Sequence, residues 1–314
     1  MAERPLLFEI FRLNIVDNEI MTFDFMGENI RSDSQIMAVL EAVTNPQFFV
    51  LTPSGRNTFQ WQAREFTTGA ESDATVCKLT LGRSLIERSG QTATPDRFED
   101  ATTTFLPPPA ETIHLVFQME RHLVGVEYRS ELMKTHLWRN SLHTLLDLAA
   151  ETSGFTSRLR LEPIPQSETI LKAFRSFDRL TRLRVKLRIP NPELDRITER
   201  LRVEMVENNI REYTQDMHNP AGLSLSEGGR PYATAAMAQA GYKDGEVTMV
   251  GVRNGKRSVV RTGNRAARGR IEGLSDFVRG LSSNLRTQEA RRAVALIVQE
   301  MDRVVELPTP PANE

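Results

Sequence analysis

The chain has 314 residues, of which 39% are hydrophobic and 26% charged, with a formal net charge of −1. That balance suits a globular protein of one large or two ordinary domains. No apolar run approaches the roughly 18 residues that a bilayer-spanning helix needs. The single cysteine, Cys77, leaves no internal disulfide to form and fits a reducing cytoplasm.

The opening MAERPLLFEIFRL carries acids and no small-residue cleavage site, so it does not read as a signal peptide. Phe8–Val16 has the pattern of a strand, with residues 20–25 as a hairpin partner. Ser32 and Asp33 are capping residues for a helix whose Ile36, Val39, Leu40 and Val43 share one face, and Asn45-Pro46 stops it. Two strands flank the turn Pro53-Ser54-Gly55, and TVCKLTL (75–81) predicts another. The polar, proline-containing run 89–111 predicts a long loop.

A strand–turn–strand unit follows around Glu120-Arg121, then a helix from Leu137 to Glu151 ending near Ser153-Gly154. Next come a strand at 158–163, a short helix from Ser167 and a strand at 182–190. An amphipathic helix then has Asn191 as N-cap, Pro192 at its first turn and Leu194, Ile197, Leu201 and Met205 in its stripe. Residues 214–232 predict a second loop, and 233–242 a small-residue helix. Asn254-Gly255 marks a two-residue hairpin turn. A helix near 288–305 and a proline-rich tail close the chain. Hairpins outnumber any parallel crossover, so the expected class is α+β with largely antiparallel strands. The expected division is an N-terminal α+β domain at 1–155 and a second, basic one at 156–314.

Charge is unevenly placed. Residues 1–50 hold eight acids against three bases, residues 156–190 nine bases against three acids, and residues 253–270 seven bases and no acid. Within the first basic segment, RLRVKLRIP alternates Arg182, Arg184, Lys186 and Arg188 with Leu183, Val185, Leu187 and Ile189. Side chains on one face of a strand repeat about every 6.6 Å. That interval is close to the phosphate spacing of a nucleic-acid strand, and arginines bind phosphate oxygens with two parallel bonds. Arg158, Arg160, Lys172, Arg175 and Arg179 enlarge the patch if they share its face. Two structural explanations compete: pairing with Glu193, Asp195, Glu199 and Glu204 on the next helix, or a charged edge strand that blocks aggregation. The second basic segment, with Arg253, Lys256 and Arg257 at a hairpin tip and Arg261, Arg265 and Arg268 after it, favours nucleic acid. No motif for base-specific reading is present, so sequence-independent binding is expected.

Catalytic patterns are weak. Gly251–Ser258 has three residues between its glycines, and Arg257 where a phosphate loop needs Ser or Thr. His136 and His143 lie seven apart rather than four. Asp244 and Glu246 are the nearest paired acids for a metal-dependent nuclease, with no lysine at the usual spacing. No catalytic residue, metal site or cofactor is expected.

Leu115–Tyr128, a hydrophobic strand with a polar turn and a Val-Gly-Val return, resembles the matching hairpin of the lambdoid phage-exclusion proteins of the RexA type. A leucine-rich helix, a strand like RLRLEP and a strand like RLRVKLRIPNPELDRITERL follow in the same order, over roughly residues 110–205. The outline is also similar to the DNA-binding components of two-part bacterial defence systems such as Kiwa. The resemblance implies a non-enzymatic, cytoplasmic homodimer or higher oligomer that binds DNA without sequence preference and acts with a separate membrane protein. It carries over only to Arg182, Arg184, Lys186 and Arg188. The alternatives are a nuclease whose acids meet only in the fold, and an interaction scaffold whose basic faces meet an acidic partner, including the chain's own N-terminal region.

Overall fold

The computed structural model describes residues 5–17, 32–71, 74–155, 157–166, 169–188, 208, 210, 212–272 and 287–305. The hairpin partner expected at 20–25 and the amphipathic helix expected from Asn191 lie outside them.

The fold is α+β, with two antiparallel sheets. The larger has nine strands: β1 (Leu6–Asp17), β2 (Val50–Ser54), β3 (Asn57–Glu71), β4 (Ala74–Ala93), β5 (Phe98–Thr104), β6 (Ala110–Gln118), β7 (Leu123–Glu127), β8 (Ser157–Pro163) and β13 (Ala267–Ile271). Its main path runs β13-β1-β7-β6-β4-β3-β2, with β5 added to β4 and β8 to β1. β1 organises this sheet. Its first half pairs with β13 and its second half with β8, while β7 lies along its other edge. The large sheet therefore takes strands from both sides of residue 155.

Alternation along β1, β6 and β7 sends side chains to two cores. Phe11, Leu13, Leu115, Phe117 and Val124 face α1 (Asp33–Ala42) and α3 (Leu137–Thr152). Phe8, Ile10, Val116 and Leu123 face the C-terminal helix α6 (Gln288–Val304). The centre of the sheet is thus buried on both faces, with helices as the outer layers. Ser32 caps α1 by a reciprocal capping box with Gln35, as the sequence predicts. A short helix α2 (Ser130–Met133) precedes α3.

The smaller sheet, in the order β10-β9-β11-β12, comprises β9 (Arg179–Arg188), β10 (Glu212–His218), β11 (Lys243–Arg253) and β12 (Lys256–Thr262). α4 (Thr169–Arg175) and α5 (Arg230–Gln239) cover one of its faces, over Leu180, Leu183, Val185, Leu187, Val247 and Met249. Arg12 and Asn14 of β1 bind this unit to the large sheet. Arg12 Nε donates to the carbonyl of Ala240 at 3.1 Å, and Asn14 Nδ2 to that of Gly241 at 3.1 Å. The Arg12 guanidinium also lies 4.7 Å from the centre of the Tyr242 ring.

Two loop expectations are corrected. Residues 89–111 contain the end of β4, all of β5 and the start of β6. This hairpin turns at Thr94–Arg97, where Thr94 N–H donates to the Arg97 carbonyl at 2.8 Å. β5 is largely exposed on both faces, so it has no apolar alternation to reveal it. Residues 214–218 belong to β10, an edge strand whose inward positions are Gln215 and Met217. Among the described residues, no helix is long and apolar enough to cross a membrane.

Candidate nucleic-acid interface

β9 is the second strand of its sheet, with β10 on one side and β11 on the other. This removes the edge-strand explanation for its charges. Lys186 lies between Thr214 and Asp244, Arg184 between Asp216 and Thr248, and Arg182 between His218 and Val250. One strand further out, Arg261 is opposite Thr248, Val259 opposite Val250 and Arg257 opposite Val252. Because facing residues share a side of a sheet, Arg182, Arg184, Lys186, Arg257 and Arg261 all stand on the face away from α4 and α5.

The two basic segments thus meet. Arg182, Arg184, Arg257 and Arg261 are exposed and Lys186 is half-buried. Exposed Arg179 and His218 border the same surface, which includes a shallow depression over Val250, Val252 and Val259. Val259 is 56% exposed, an apolar spot within a cationic field.

The hairpin that carries β12 onto this face turns as its sequence requires. Asn254 and Gly255 have φ of 51° and 72°, the left-handed pair of a type I′ turn. The tip is tied back by Asp178, whose carboxylate accepts from Gly255 N–H at 3.1 Å. Arg253 and Lys256 face each other beside the turn. Alternation places them on the side of Met249 and Val260, so they project from the tip rather than from the open face.

The remaining expected contacts lie elsewhere. Arg188 is only 6% exposed, and its Nη2 lies 3.0 Å from Asp244 Oδ2. Arg265 is in the connection between β12 and β13. Arg268 is on β13 in the large sheet, where it donates to Glu9 and sits 4.0 Å above the centre of the Tyr128 ring. Here the acidic N-terminal segment does meet the second basic segment.

Acids temper the open face. Asp216 accepts two bonds from Arg182, and that contact lowers the Asp216 pKa and raises that of Arg182. Asp244 serves Lys186 at 3.2 Å as well as Arg188. Neither acid was visible as a partner in the sequence, since each pairs across strands. Arg184, Arg257 and Arg261 have no ion pair among the described residues.

Beneath the open face the two sheets meet around buried charge. Lys243 is fully buried, donates to the Gly245 carbonyl at 2.9 Å and has its pKa pushed down to about 8 by burial, opposed by Glu162. Burial raises the Glu162 pKa in turn. His143 Nε2 accepts from Leu161 N–H at 2.9 Å, and burial takes its pKa to about 3. His114, next to Thr80, is taken to about 4 by the same cause. Asp244 is occupied by two cations while Glu246 is exposed. Among the described residues, no three His, Cys, Asp or Glu side chains are grouped to hold a metal.

An antiparallel α+β protein with one open cationic sheet face is the class these features define. The family described as a domain of unknown function, DUF4747, matches residues 87–273, more than half of the chain, and the protein belongs to that family. The matched span includes the whole small sheet. No curated protein matches the chain.

Proposed function

We propose that this protein binds DNA without sequence preference through the open face of the small sheet. The observation that carries this reading is the convergence of Arg182, Arg184 and Lys186 on β9 with Arg257 and Arg261 on β12. Rows of cations on β9 and β12, two strands apart, are separated by about 10 Å at the usual strand spacing. Such a band can follow a phosphate backbone, releasing counterions as each phosphate is neutralised. Arg184, Arg257 and Arg261 are the first contacts, being exposed and without an ion pair among the described residues. Arg182 contributes by exchanging Asp216 for phosphate, and Lys186 by exchanging Asp244.

The setting assigned from the family resemblance is antiphage defence, or phage exclusion, in the cytoplasm. There the protein would act as a homodimer or higher oligomer with a separate membrane protein, and without catalysis of its own. Exposed Arg253 and Lys256 at the hairpin tip suit contact with a second stretch of backbone.

A gel-shift series with random duplex and single-stranded DNA tests the reading, run over several salt concentrations with and without magnesium. The triple variant R184E/R257E/R261E should lose retention and keep its melting temperature. Retention equal to wild type by a folded triple variant refutes the proposal. Magnesium-dependent loss of the substrate would replace it with a nuclease.

A further inference from the structure

We infer that a cleft between the start of α3 and the β12–β13 connection is a binding site for a phosphate-bearing small molecule. The cleft has a volume of ≈ 500 Å³ and is lined by Lys134, Arg139, Arg265, Arg268, Glu9 and Trp138, among others. This volume falls within the range of small-ligand pockets, about 300–1,000 Å³. The site lies on the large sheet's side of the molecule and uses none of the five cations of the open face.

Its charge is unbalanced. Four permanent cations surround the cleft and Glu9 is the carboxylate among its lining residues, already engaged by Arg268. Lys134, Arg139 and Arg265 have no hydrogen bond or ion pair among the described residues. Other arginines of the large sheet are neutralised by pairing, Arg83 with Glu111, Arg129 with Glu127 and Arg160 with Asp147, while Arg64 and Arg88 bond neutral acceptors.

Arg139 is the most telling of the three. Its Nε is buried and has no acceptor. Glu162 is close enough for its pKa to be influenced by Arg139, but no hydrogen bond or ion pair joins the two. A partly buried guanidinium nitrogen without an acceptor is costly, and an anion entering the cleft removes that cost. The planar fork of arginine also suits phosphate oxygens, which accept paired bonds.

The backbone adds to this. His136, at the head of α3, makes no side-chain capping bond, and the first turn has no acidic residue. Leu137 N–H meets Thr135 Oγ1 at 3.4 Å, and no carboxylate stands at this positive end of a 16-residue helix beside the cations. Trp138 and Phe11, packed edge to face with ring centres 5.4 Å apart, form a buried floor beneath the cleft, each only 3% exposed. The cleft's volume, with its cations spread around the rim, suits an organic phosphate rather than a bare ion.

Calorimetry and thermal melting of the full chain with pyrophosphate, AMP and ATP, at about 50 mM salt where phosphate contacts are strongest, test the inference. At least one probe should bind saturably at one per chain and raise the melting temperature. The exposed double variant K134Q/R265Q should weaken that binding by about tenfold or more while leaving its own melting temperature unchanged. Failure of all three probes to bind or stabilise at about 1 mM overturns the site, as does binding that the double variant leaves intact. A double variant that loses DNA retention without any nucleotide binding in the parent also overturns it, assigning the cleft to the DNA path.

Discussion

Arg182 and Asp216 meet diagonally across β9 and β10 in a two-pronged ion pair, Nε to Oδ1 at 2.8 Å and Nη2 to Oδ2 at 2.5 Å. The pair stands on the β10 side of the open face and withdraws one of its cations from immediate use. Asp216→Asn should therefore tighten DNA binding at low salt. It should also steepen the plot of log affinity against log salt by about one phosphate's worth, close to 0.9 for duplex DNA. Both residues are solvent-exposed, so the melting temperature should not move. An unchanged or weakened affinity in gel shifts would mean that Arg182 does not reach phosphate.

Arg188 and Arg184 have the same side-chain chemistry on the same strand and should behave in opposite ways. Arg188 is buried and pairs with half-buried Asp244, so Arg188→Glu places a second carboxylate beside Asp244 at a buried position. Breaking a buried pair costs about 3–5 kcal/mol, and urea unfolding should show a loss of that size. Arg184→Glu should leave the unfolding curve in place and reduce DNA retention. Equal stability losses in the two variants would contradict the burial described here.

Before the remaining predictions, the origin of this contrast matters. The alternation from Arg182 to Arg188 makes β9 legible as a strand with one charged side. It cannot show that the last cation is covered. Arg188 keeps to the side of Lys186 and shares Asp244 with it, and is buried by the large-sheet elements that carry His143 and Glu162. Asp216 is equally hidden, since TQDMH is polar and resembles the loop that follows it. The placement of Arg268 depends on β13 finding β1 across some 260 positions, a pairing with no local signal. The capping box of α1, the Asn-Gly hairpin and the end of α3 at Gly154 need only neighbouring residues, and those are legible. β5 marks the opposite limit: both its faces are wet, so only its threonine content hints at a strand.

Acid should destabilise the fold through two buried histidines. His143 and His114 have pKa values near 3 and 4 in the fold, against about 6.5 in an unfolded chain. Below about pH 6.5 the unfolded state takes up protons that the fold refuses. Their contribution is complete above that pH and is lost as pH falls towards the folded values. At pH 5 the loss is about 2 kcal/mol for each group. Urea unfolding between pH 7 and 5 measures it, and His143→Gln, which retains an acceptor for Leu161 N–H, should remove about half. A pH-independent midpoint in the parent over that range would show these imidazoles to be accessible.

Cys77 is fully buried in the core shared with α1 and α3, and burial pushes its thiol up to about 12. Thiolate is the reactive form, so iodoacetamide at pH 8 should leave the folded protein unmodified. Full labelling should appear only with unfolding, at a rate that follows urea concentration. Prompt stoichiometric labelling of the native protein would place Cys77 at a surface.

The partners of β1 impose an order on synthesis. The strand is made well before one of its partners, for one edge of Leu6–Ile10 waits for β13, at residues 267–271. Throughout elongation that edge is an exposed template for another chain's strand. Long-range pairings of this kind form slowly and leave nascent chains vulnerable to association. A ribosome stalled between residues 163 and 267 would hold a chain that already contains most of its large sheet but lacks the end strand β13. Such fragments should be found among aggregates or bound to chaperones, and appending β13 in trans as a peptide should rescue their solubility.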